Sequence, residues 1–278
     1  MKILIILTAM LPLIGCNQAD STNHQVKNEN KQTIWVITEK TTSPGVTPVK
    51  IESNSVKKRE ITNNVTHAGQ KQTVRTFPKK NSMMISVPLI KQNPELRYGC
   101  EVTSLAMVLN YADVKTSKME LYHLIQKDPD PLIKSPNGDI LRWGNPADGF
   151  VGDMTGRRAG YAVFDMPMVR LINKKLPGRA VNLTNQPFDR ILAHVSSGYP
   201  VVVWTTGDYR LPDRWEGWYH GKQFIRTPLD LHAVVLVGYD ANHVYLNDPL
   251  SGKKQVRVSK GQFILSWNAL QKRAVSYK

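Results

Sequence analysis

The chain has 278 residues, 41% of them hydrophobic, which is enough for one large domain or two small ones and excludes wholesale disorder. Its 37 Lys and Arg against 22 Asp and Glu give a formal net charge of +15, a surplus that favours contact with anionic lipid, acidic wall polymer or nucleic acid. Two cysteines, Cys16 and Cys100, exclude a disulfide scaffold and a four-Cys zinc site, and no internal apolar run reaches the ~18 residues a spanning helix requires.

Residues 1–15 read MKILIILTAMLPLIG: one Lys, then an almost unbroken apolar run. That is the layout of a secretory signal. Leu13-Ile14-Gly15-Cys16 matches the bacterial lipobox, in which the Cys is lipidated and becomes the new N-terminus. The expectation is an exported chain anchored to the cell membrane through Cys16, facing outside or the periplasm. A lipid and a basic surplus together supply the two signals that stable attachment needs. Residues 16–83 are rich in Asn, Gln, Thr, Ser and Lys and show no helical period, so they read as a polar tether with short β-like patches such as 33–37 and 47–51.

A compact domain is expected over 84–278. Residues 97–112 place Val102, Leu105, Ala106, Leu109 and Ala112 on one helical face, with Gly99 before the helix and Cys100 in its first turn. A second amphipathic helix is expected over 118–126. Residues 128–155, rich in Pro, Gly and Asp, read as a long surface loop. Short helices follow over 168–174 and 187–197, then a buried strand over 201–204. Residues 207–221, rich in Trp, Tyr and Asp, read as a loop on the rim of a cleft. Two strands, 231–239 and 244–247, form a hairpin, with a third strand over 253–258 and a helix over 261–270. Helices first and an antiparallel sheet second make the class α+β.

The candidate chemistry begins with Cys100. At a helix N-terminus the unpaired N–H groups and the dipole favour thiolate, whereas a free Cys is otherwise most often buried and inert. His232 opens an apolar strand, an odd place for an imidazole without a partner. Asp248 lies at the far end of the returning strand, and a hairpin brings those two ends together. The pair shares a sheet face in one parity of register only; the other points them apart and leaves Asn247 as the competitor. Gln92, eight positions before Cys100, could offer its amide N–H₂ to an oxyanion, although a Gln beside Asn93-Pro94 is ordinarily a solvated loop residue. His123 and His194 read as surface or packing residues. Asp148 and Asp153 read as turn residues rather than a calcium loop. Trp204, Trp215 and Trp218 read as wall and rim packing. No cofactor or metal is expected.

The segments VPLIKQNPELRYGCEVTSLAMVLNYA, NPADGFVGDM, PVVVWTT and LHAVVLVGYDANHVYLNDPLSG resemble the bacterial papain-fold domains related to the bacteriocin-leader (double-glycine) cysteine peptidases. The likeness extends over nearly all of 85–278 and keeps the order Gln, Cys, His, Asp. It implies a papain-like cysteine peptidase fold with Cys100 as nucleophile, His232 as general base and acid, Asp248 as its orienting residue and Gln92 as oxyanion donor. Leader peptidases of that family are usually fused to a transporter, which this sequence lacks, so the double-glycine substrate does not carry over. The papain signature C-G-S-C-W is also absent.

The resulting expectation is a cell-envelope thiol hydrolase, a cysteine peptidase acting on a peptide or protein substrate, cell-wall peptide included. Two alternatives use the same fold: another acyl transfer on cell-wall peptides, as an amidase or transamidase, and a non-catalytic module gripping a ligand with the aromatic loop. Nucleic acid is not an expected partner, because no recognition motif accompanies the basic charge.

Overall fold

The computed structural model describes residues 80–278. The leader, Cys16 and the tether up to residue 79 lie outside the described residues. Ordered contacts begin at once, with the Lys80 N–H donating to Ser196 Oγ and the Tyr239 hydroxyl to the Lys80 carbonyl.

In chain order the elements are β1 (Met83–Met84), α1 (Cys100–Tyr111), α2 (Lys118–Leu124), β2 (Lys127–Asp128), β3 (Ile133–Lys134), β4 (Ile140–Arg142) and β5 (Phe150–Val151). There follow α3 (Asp165–Lys175), β6 (Ala180–Asn182), α4 (Phe188–Ser196), β7 (Val201–Thr206), β8 (Trp215–His220) and β9 (Gln223–Pro228). The chain ends with β10 (Leu231–Tyr239), β11 (His243–Asp248), β12 (Lys253–Ser259), α5 (Lys260–Ala269) and β13 (Ala274–Tyr277). The main sheet runs β12-β11-β10-β7-β13-β6, antiparallel throughout, with β1 pairing the end of β10 that β7 does not reach. The expected α+β class is the one observed.

The helix carrying Cys100 is not the one-faced helix its spacing suggests. All residues from Cys100 to Leu109 are buried, because α1 is packed among β10, β7, α2 and α3. Each fully buried Leu or Val contributes about 1.5–3 kcal/mol to that packing. Burial all round also traps polar groups, which then need partners. Ser104 finds one across the interface, its hydroxyl donating to the Ala233 carbonyl of β10 at 3.1 Å. Gly99, just before the helix, is there for space: a Cβ would lie 2.5 Å from that of Leu96.

Two expected loops contain ordered strands. Residues 128–155 hold β3, β4 and β5, with Trp143, Phe150, Val151 and Met154 buried. Residues 207–221 include β8, which turns through Gly221 and Lys222 into β9. Together β3, β4, β8 and β9 form a second sheet, and Trp143, Val151, Trp218 and Ile225 make its small core. Strands of two or three residues are too short for a period to register, and their Gly, Pro and Asp residues serve as the turns between them. Trp204 is core and Trp218 lies in the small core, whereas Trp215 is half exposed under the Arg226 guanidinium.

The β10–β11 hairpin positions the site. Its turn is tight, with Asp240 accepting at one carboxylate oxygen from the N–H groups of Asn242 and His243. Next to it, Tyr239 pairs with Val244 and Gly238 with Tyr245, the parity that sends His232 and Asp248 to opposite faces. A β-bulge between Leu236 and Gly238 inserts Val237, and beyond it Leu236 pairs with Leu246 and Val235 with Asn247. That shift restores the shared face. Gly238 allows it: a Cβ there would lie 2.6 Å from the Met83 carbonyl of β1. Replacing Gly238 with Ala should therefore destabilise the protein by about 1–3 kcal/mol, read as a lower urea midpoint with an unchanged slope. A midpoint equal to wild type would mean that β1 does not constrain the bulge.

Candidate active site

Asp248 ends β11 buried, and four groups converge on it. Oδ1 accepts from His232 Nε2 at 2.8 Å and from the Leu250 N–H at 2.8 Å, Oδ2 accepts from the Tyr209 hydroxyl at 3.0 Å, and the Ser251 side chain also bonds to the carboxylate. Burial alone would raise its pKa. The His232 hydrogen bond and charge, with Ser251 and Leu250, outweigh that and hold it well below the usual carboxylate range.

An ionised carboxylate only accepts, so Nε2 of His232 carries the proton. A ring with its one proton on Nε2 presents Nδ1 as a base, and Nδ1 has no hydrogen bond among the described residues. His232 itself is 3% exposed. The sequence offered Asn247 as competitor for the Asp248 position, but its side chain is spent elsewhere, donating to the Val87 carbonyl and accepting from the Gln255 N–H.

Cys100 is brought to the same place through β10. The Ser104 bond to Ala233 lies one helical turn along α1, and the Ala233 main chain hydrogen-bonds to the Cys100 sulfur. The thiol donates to Glu101 Oε2 at 3.3 Å; among the described residues no hydrogen bond joins it to the His232 ring. The expectation of a thiolate favoured by the helix end is not met in this state. Burial, and after it the Glu101 charge, push the Cys100 thiol well above its ordinary value, against the pull of the Ala233 main chain. Full desolvation outweighs the few tenths to one kcal/mol that a helix terminus offers.

Gln92 is buried rather than solvated. Its N–H donates to the Pro249 carbonyl, next to Asp248, at 2.9 Å, and its side-chain Nε2 donates to the Arg97 carbonyl at 2.8 Å. Lys118 Nζ clamps its carbonyl at 2.8 Å. Gln92 thus ties the Asp248 turn to the loop that delivers Cys100. Among the described residues its second amide hydrogen has no acceptor, and the backbone N–H of Cys100 is among the first of α1, which have no intrahelical acceptor.

Two residues of this neighbourhood were not singled out by the sequence reading. Glu101 is fully buried, with Oε1 accepting from the Val163 N–H at 3.0 Å, but an acid in the first turn of a helix is too common to signal anything. Tyr209 sits at φ 62° in an irregular turn whose reach toward Asp248 no pattern announces. Of the remaining candidates, His194 packs against Ser276 and the Tyr277 carbonyl, burial lowering its pKa to about 4. Asp153 caps a turn through the N–H groups of Thr155 and Arg158. Asp128, Asp148 and His220 bring one ligand atom each within 4.8 Å of one another. Asp128 already accepts from the N–H groups of Asp130 and Asn145, and Asp148 from Asn145 Nδ2, so this cluster pins the chain around β2.

Comparison with known proteins agrees with this architecture. The chain is 34% identical over 182 residues to the uncharacterized protein YvpB of Bacillus subtilis (strain 168), covering 66% of this chain and 70% of that protein. It is also similar to a crystal structure from Bacillus anthracis designated a C39-like peptidase, at 35% identity and a TM-score of 0.65, covering 72% of this chain and 98% of that one. Residues 84–275 match the profile of the Peptidase_C39 like family, and with most of its length inside that match the chain belongs to this family.

Proposed function

We propose that the protein is a cysteine peptidase in which Cys100 is the nucleophile, His232 the general base and acid, Asp248 the residue that orients the imidazole, and Gln92 an oxyanion donor. The observation that carries this reading is the Asp248–His232 bond through Nε2, which leaves Nδ1 basic beside the segment where Ala233 touches the sulfur. Nδ1 takes the thiol proton as sulfur attacks the substrate carbonyl carbon. The carbonyl oxygen, now an oxyanion, accepts from the Cys100 N–H and the unspent Gln92 amide hydrogen. The imidazolium returns the proton to the leaving amine, giving a thioester, and a water deprotonated by Nδ1 releases the acid and restores the thiol.

The substrate is a peptide or protein, cell-wall peptides included. Lipidation of Cys16 would hold the enzyme at the outer face of the membrane. That part of the proposal rests on the leader sequence alone.

Iodoacetamide should label Cys100 in the purified protein, and Cys100→Ser should abolish both labelling and cleavage in a peptide library. Ligand binding that survives Cys100→Ala in a protein with an unreactive thiol would instead favour the binding module. Asp248→Asn should lower kcat/KM by about 100-fold or more, since the amide no longer enforces the Nε2–H tautomer. Tyr209→Phe, which removes one hydrogen bond to Asp248, should cost about 3–10-fold.

The same carboxylate has a pH signature. Its folded pKa is depressed, so its contribution to stability is complete above the unfolded value of ~3.9 and disappears as pH falls through the lower folded value. Urea unfolding between about pH 2 and 6 should show this acid loss in wild type and not in Asp248→Asn. Parallel curves for the two proteins would mean that the pair adds nothing to the fold.

A further inference from the structure

Among the buried ionisable groups without a part in the reaction, Glu101 touches the reacting atom. Glu101 has no exposed surface, spends Oε1 on the Val163 N–H at 3.0 Å, and aims Oε2 at the Cys100 sulfur at 3.3 Å. A thiolate at this position would face an ionised carboxylate across a hydrogen-bond distance with little solvent between them, where like charges repel strongly.

We propose that Glu101 gates the protonation of Cys100: as a carboxylate it accepts the S–H hydrogen bond and holds the resting thiol, and as a neutral acid it turns donor toward sulfur and permits the thiolate. This rests on Cys100 being the nucleophile. The proton balance is simple. The thiol proton moves to His232 Nδ1 with no net change of charge, and Glu101 takes its own proton from solvent water. The reactive form therefore holds one proton more than a Cys–His–Asp set without the acid.

The surroundings allow Glu101 to titrate near neutrality. Burial raises its carboxyl to about 7, against the Val163 N–H and the Cys100 contact. No lysine or arginine forms an ion pair with it among the described residues. Tyr161, in the segment before α3, feels the Glu101 charge, but its hydroxyl donates to the Pro228 carbonyl and stays neutral. The nearby guanidinium of Arg273 is engaged by Asp165 of α3 at 3.4 Å. On α2, Lys118 and Glu120 are paired outward with Glu95 and Lys175. The strand β7 presents no ionisable side chain, and β10 presents His232, whose Nε2 is committed to Asp248.

The test is the pH profile of Cys100 alkylation by iodoacetamide in the full-length protein. In wild type the rate should fall as pH rises through the Glu101 titration, then climb again when the thiol itself ionises. Glu101→Gln keeps an acceptor for Val163 and a permanent donor for sulfur. It should remove the fall and alkylate about tenfold faster or more at about pH 8. Superimposable profiles, or a variant slower at every pH, would overturn the gate. If Glu101→Gln does not fold, infrared titration of wild type decides. A protonated-carboxyl band that titrates near neutrality and shifts on Cys100 alkylation supports the gate, and its absence overturns it.

Alkylation is read without substrate, so the two readings fail separately. The expected profiles with no peptide cleaved would sink the peptidase and leave the gate standing. Cleavage that depends on Cys100, with unaltered profiles, would sink the gate alone.

Discussion

The His232–Asp248 hydrogen bond depends on a single inserted residue. The tight turn at Asp240 sets the hairpin in a parity that would separate the two side chains, and the Val237 bulge reverses it halfway along. Everything around the pair then reinforces the corrected register. Asn247 is spent on Val87 and Gln255, Tyr209 and Leu250 hold the carboxylate, and the Pro249 carbonyl captures Gln92. The Val237 carbonyl accepts from the Ile85 N–H, so the displaced backbone of the bulge is not left unsatisfied.

A second constraint follows from burying α1 on all sides. Desolvation that stabilises Leu105 and Leu109 is costly for a thiol, an acid and two hydroxyls on the same helix. Ser104 and Glu101 recover hydrogen bonds, whereas Thr103 Oγ1 has no partner among the described residues. The site thus sits where the dielectric is low, which strengthens the carboxylate–imidazole attraction and disfavours any unpaired charge, the thiolate included.

How much of this was legible in the sequence depended on length and periodicity. The helix from Cys100, the strands flanking the Asp240 turn and the α+β class carry runs long enough to show their period. Of the four residues expected at the site, His232 bonds to Asp248, the Gln92 N–H reaches Pro249, and Cys100 meets the Ala233 main chain. The small sheet was missed because β3 and β4 hold two or three residues each and β4 joins β8, far along the chain. The thiol's electrostatics were misjudged for a similar reason. A helix start is visible locally, whereas the desolvation that dominates is contributed by β10, α3 and the Val163 segment. Glu101 and Tyr209 act through contacts that no spacing encodes.

The strand order carries a consequence for biosynthesis. β13, the last element in chain order, lies between β7 and β6 inside the main sheet, and its backbone closes both edges. While a ribosome is still producing α5, β7 has an open flank next to residues that become core. The main sheet acquires its finished hydrogen-bond ladder only once β13 is free, so a nascent chain stays short of this fold until that strand has been made and released.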